Sequence, residues 1–205
     1  MELKSEEADL HSKLPLDFKV MTKRIQKHIN KQDFVKVYIE DKEGIPLTHY
    51  EGVIFGQSES LLLMSSFYDF TYDGCVILRK RDIYEIKHTE NERFFKGILE
   101  KEGIFRDMMK KRKQIKIELS SLQDSFKNLQ KSGIPVIIEG KYSKNERFII
   151  GPIIEMNDKK VKIRYFNARG EYDFKPVSIR FKEVTIVQLD SPYANLFYKY
   201  AMEIK

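Results

Sequence analysis

The feature that most constrains this chain is that its apolar residues come in short runs, many with a period of two, broken by glycine, proline, asparagine or aspartate. A side-chain period of two belongs to β-strands, and runs this short cannot sustain long helices, so the chain must be mainly antiparallel strands joined by tight turns. Phe34-Val35-Lys36-Val37-Tyr38-Ile39 is the clearest case. Gly52 to Gly56, Leu61 to Met64, Val76 to Leu78 and Ile83 to Ile86 follow, with Asp41-Lys42-Glu43-Gly44 and Tyr72-Asp73-Gly74 as turns. Ahead of them Met21, Ile25 and Ile29 stand four apart, the stripe of a short amphipathic helix.

The same order of events returns after residue 119. Leu122, Phe126 and Leu129 form a helical stripe, and Val136 to Gly140, Arg147 to Ile154, Val161 to Tyr165, Val177 to Ile179 and Val184 to Val187 read as strands. Leu78 to Ile86 aligns with Ile179 to Val187 at an offset of 101 residues. These patterns predict an internal repeat: a polar leader over 1–14, a helix and five strands over 15–99, a basic connector over 100–118, and a second helix and five strands over 119–205. Sheets this small cover a core best by curling, so the expected fold is mainly β with short helices, a tandem of small antiparallel barrels.

Two stretches of the first copy, Gly52 to Leu63 and Gly74 to Ile86, resemble the two sequence blocks of the Sm-like family, which has an SH3-type barrel behind an N-terminal helix. Gly151 to Ile154 and Val177 to Val184 are the matching stretches of the second copy, for a coverage of 15–99 and 119–200. The resemblance implies tandem Sm-like barrels that bind RNA through a basic residue in the second block, which falls on Arg79 or Arg81 and on Arg180 or Lys182. Gln57-Ser58-Glu59-Ser60 departs from the family's Asp, aromatic, Asn signature in the first block.

Composition narrows the chemistry. Lys and Arg number 37 against 31 Asp and Glu, a formal charge of +6 that permits a nucleic-acid partner without requiring one. One cysteine, Cys75, excludes an intramolecular disulfide and any multi-thiolate metal site. No HExxH, GxxxxGK[ST] or GxGxxG motif is present, so neither a catalytic role nor a cofactor is expected. No stretch approaches the roughly 20 apolar residues of a membrane span, and the leader lacks a signal-peptide pattern, which points to a cytoplasmic protein. Two basic groupings remain as candidate nucleic-acid contacts: Arg79, Lys80 and Arg81 with Arg180 and Lys182 in the two hairpins, and Lys110, Lys111, Arg112 and Lys113 in the connector. The expected function is a non-enzymatic module binding RNA or another nucleic acid. The alternative is a protein-interaction scaffold or regulatory adaptor, with a protein partner or a second copy of the chain on its aromatic surface.

Overall fold

The structure, a computed structural model, describes residues 18–40, 44–140 and 147–201. The leader expected over 1–14 lies outside them. Helix α1 (Phe18–Lys31) leads into β1 (Phe34–Glu40), β2 (Pro46–Gln57), β3 (Leu61–Tyr68), β4 (Thr71–Arg79) and β5 (Ile83–Lys87). Helices α2 (Glu90–Lys101), α3 (Ile104–Arg112) and α4 (Leu122–Ser132) fill the middle of the chain. Strands β6 (Pro135–Gly140), β7 (Arg147–Met156), β8 (Lys160–Ile163), β9 (Val177–Arg180) and β10 (Ile186–Leu189) follow, and α5 (Pro192–Tyr200) comes last.

The mainly-β expectation with short helices holds; the tandem of closed Sm-like or SH3-like barrels does not. All ten strands belong to one open antiparallel sheet in the order β5-β1-β2-β3-β4-β10-β6-β7-β8-β9. The outermost strands, β5 and β9, have no strand pairing with each other. The physical reason lies in the middle. The backbone edge of β4 is taken by β10, with Leu78 opposite Ile186, Ile77 opposite Val187, Val76 opposite Gln188 and Cys75 opposite Leu189. Closure of two separate barrels is thereby replaced by a seam that runs the sheet straight through. Gly74 sits at the end of that seam with φ +86°, where an added Cβ would lie 2.5 Å from the Leu189 carbonyl oxygen, so only glycine lets the strands come this close.

One core cluster draws on both halves of the chain. Phe34, Leu61, Leu63, Cys75 and Ile77 pack in one cluster with Val136, Ile138, Phe181, Val187 and Leu189, together with Leu99 of α2, Phe105 and Met108 of α3, and Phe126 and Leu129 of α4. The alternate residues Val35, Val37, Ile39, Leu62, Met64 and Val76 face the other way and bury Met21 and Ile25 of α1. That alternation is the pleat expressed as packing, and each buried side chain of this size contributes roughly 1.5–3 kcal/mol. Ile137, Ile150 and Phe166 likewise meet Ala194 of α5. The segment expected as a connector carries the end of α2 and all of α3, packed into the shared core.

Candidate functional site

A concavity of about 960 Å³ lies between α1, the β2–β3 turn, the end of β4 and the start of α4. Its position follows from local chemistry. Gln57 at the end of β2 donates to the Thr22 carbonyl at 3.1 Å and to Gln26 Oε1 at 3.2 Å, fixing α1 across the strand ends. The β2–β3 turn is held by Ser58, whose hydroxyl accepts from the Leu61 amide, while the Ser60 carbonyl accepts from the Lys80 amide at 2.9 Å. On the far wall Ser121 caps α4 by accepting from the Asp124 amide at 3.1 Å, which satisfies one of the open donors of the first turn. The N-terminal residues Ser121 and Leu122 therefore border the groove.

The floor is apolar, through Leu61 and Leu122, and the charged groups among the described lining residues are the cations Lys19, Lys23, Arg79 and Arg81 and the carboxylate of Glu59. Arg79 and Arg81 were expected as contacts from sequence; Lys19 and Lys23 were not. They stand four apart on the polar side of α1 and read as an ordinary solvated face, so only the fold reveals them. Arg79 also donates to the Phe181 carbonyl, tying the second half of the chain to the groove wall. Arg81 stays exposed, 3.5 Å from Asp82.

Lys80 behaves unlike either neighbour. It is fully buried, and its ammonium donates to Thr22 Oγ1 at 3.2 Å, directly behind the groove wall. Burial pushes its pKa below the ordinary lysine range, with the field of Glu59 acting in the opposite sense.

The other candidates do not converge there. Arg180 is held by Glu183, and that pairing raises the arginine pKa and lowers that of the carboxylate. Lys182 is exposed beside it. In α3, Lys110 pairs with Asp107 at 3.3 Å, and Lys111 lies over the Tyr72 ring at 5.2 Å. Arg112 donates to the Phe55 carbonyl at 3.2 Å and packs over that residue's ring, whereas Lys113 is exposed at the helix end. Of the connector's four cations, Arg112 is half-buried against Phe55, and Lys110, Lys111 and Lys113 are exposed. With the barrels gone, the RNA edges that the Sm-like resemblance implied at the two hairpins lose their basis as well.

Elements of catalysis are sparse. Cys75 is buried and its thiol is pushed up to about 12, chiefly by burial, so it is not a poised nucleophile. The fold brings His28 and His88 around Asp33, at 2.9 and 3.7 Å, a cluster invisible in the spacing of the sequence. His88 Nδ1 meets the Phe34 carbonyl at 2.8 Å, whereas the buried Nε2 of His28 has no hydrogen-bond partner among the described residues. Among the described residues no group of three or more His, Cys, Asp or Glu side chains could hold a metal ion, and no helix is long and apolar enough to cross a membrane. No protein-family model matches the chain, and no curated protein matches its sequence.

Proposed function

We propose that this chain is a non-enzymatic binding module that holds a phosphate-bearing strand, a nucleic acid, in the groove between α1 and α4. The observation that carries the reading is the charge of that groove, whose described lining residues set the cations Lys19, Lys23, Arg79 and Arg81 and the carboxylate of Glu59 over an apolar floor. Convergent cations in a concave site raise the local concentration of an anionic ligand and exchange its counterions. The polar groups of the described lining residues are mostly cationic, so the proposed recognition runs through phosphates. The test is binding of the purified, nuclease-treated chain to labelled single-stranded RNA, duplex RNA and duplex DNA across a salt series. Salt-sensitive binding that weakens when Lys19 and Lys23 are both changed to Gln is the expected result. An absence of binding at low salt overturns the reading.

A second reading has its own observation. Tyr193, Leu196 and Tyr200 leave an apolar stripe exposed along α5, and Phe174 is 94% exposed. Such a surface suits a protein scaffold or adaptor. That reading expects a complex or oligomer that survives both nuclease and moderate salt, and that is lost in Leu196→Glu.

A further inference from the structure

A buried ammonium needs a reason. Lys80 is entirely out of solvent, carries three donors, and has one hydrogen-bond acceptor among the described residues, Thr22 Oγ1, with no carboxylate in ion-pair contact. Isolated buried charge is costly, and a lysine in this position does nothing for the backbone turn it occupies. The other half of the chain shows this directly. Its corresponding three-residue 3-10 turn, Phe181–Glu183, begins with a buried phenylalanine where Lys80–Asp82 begins with the lysine. Both turns run between extended residues, from Arg79 to Ile83 and from Arg180 to Val184. Apolar packing is enough to make the fold, so the charge at Lys80 points to something outside it.

We propose that Thr22, backed by the ammonium of Lys80, is the seat for one phosphate oxygen of the ligand in the groove. This deepens the reading given above and rests on it. Because the Thr22 oxygen accepts from the ammonium, the hydroxyl keeps its own hydrogen to donate, and Thr22 is a groove-lining residue. A hydroxyl polarised by a buried cation is a stronger donor than a free one, and the low-dielectric surroundings of Lys80 strengthen that effect. Lys23, next in sequence on α1, and Arg79 and Arg81 across the groove bring further positive charge to the same place. Thr22 is the contact and Lys80 a positioning residue that acts through it, so the lysine itself needs no path to solvent.

The experiment uses the full chain as wild type, Thr22→Val, Thr22→Ser and Lys80→Met. Each is titrated with a short labelled single-stranded oligonucleotide, and inorganic phosphate is then added as competitor. A charge-assisted hydrogen bond corresponds to roughly tenfold or more in affinity. Thr22→Val and Lys80→Met should each lose about that much, and Thr22→Ser should stay within about threefold of wild type. Lys80→Met should melt no lower than wild type. Phosphate should displace the oligonucleotide from wild type at lower concentration than from Thr22→Val. If wild type binds phosphate but not the oligonucleotide, the seat stands and the strand reading falls. Unchanged affinity in Thr22→Val and Lys80→Met with an intact wild-type complex overturns the seat alone, as does a Thr22→Ser variant as weak as Thr22→Val. Wild type that binds neither probe overturns both. Should Lys80→Met fail to fold, the Thr22 pair, on a half-buried helix position, still decides the matter.

Discussion

The two 3-10 turns that lead into β5 and β10 hold similar sequences and do opposite things. Arg180-Phe181-Lys182-Glu183 is self-contained: Phe181 is buried, Arg180 is occupied by Glu183, and Lys182 stands in solvent. Arg79-Lys80-Arg81-Asp82 turns its charges to use. Lys80 is buried against Thr22, Arg79 reaches the Phe181 carbonyl, and both arginines line a groove that α1 and α4 complete. At the one position buried in both turns, an aromatic residue serves packing in one and a lysine places an ammonium behind the groove in the other.

The sharpest way to break the comparison is to write the first turn into the second. Phe181→Lys removes a buried ring and places an ammonium where no Thr22 waits, and should destabilise the chain by about 3–5 kcal/mol in urea unfolding. Next in size is the seam that brings the two turns together. Gly74→Ala forces a Cβ onto the Leu189 carbonyl at a positive φ, for a loss of about 2–3 kcal/mol and faster amide exchange in β10.

The reverse exchange, Lys80→Met, should cost nothing and gain up to about 1 kcal/mol at pH 7, because an apolar side chain of similar volume replaces a charge with a single partner. Its pH dependence has a definite sign. The folded-state pKa of Lys80 is lowered, so the unfolded chain binds more protons between that value and the roughly 10.4 of a free lysine, and wild-type stability rises with pH across that window. The advantage of Lys80→Met should accordingly shrink as the pH is raised towards 10, and parallel unfolding curves at several pH values would check it. Smallest of all is Glu183→Gln, which removes the partner of a solvent-exposed guanidinium and should leave the melting temperature and ligand affinity essentially unchanged.

Much of the strand set was readable from the residues because alternation is a local property. Phe34 to Ile39 and Leu61 to Met64 fall within β1 and β3, and the stripe of Met21 and Ile25 is the buried face of α1. What depended on distant partners was not. Tyr72-Asp73-Gly74 looks like a turn, but the chain reverses at Asp69, which takes φ +50°, and Gly74 is reserved for the approach of β10. Val184 and Thr185 read as the start of a strand, yet the Val184 amide closes the 3-10 turn on Phe181 and β10 begins at Ile186. The single sheet was hidden for the same reason, since nothing local in Cys75 to Leu78 says that its free edge will meet Ile186 to Leu189. Of the site, Arg79 and Arg81 could be named from charge alone. Lys19, Thr22 and Lys23 could not, because a polar helix face looks the same whether it meets solvent or a groove. Lys80, in a run of charges, gave no sign of being buried.

The most direct test of the account is the salt dependence of strand binding in two single variants, Lys23→Gln at the groove and Lys182→Gln at the other turn. Each phosphate contact removed should lower the slope of log affinity against log salt by about 0.7 for a single strand. The account predicts that loss in Lys23→Gln and a wild-type slope in Lys182→Gln. A reduced slope in Lys182→Gln with Lys23→Gln unchanged would place the ligand on the other turn and contradict it.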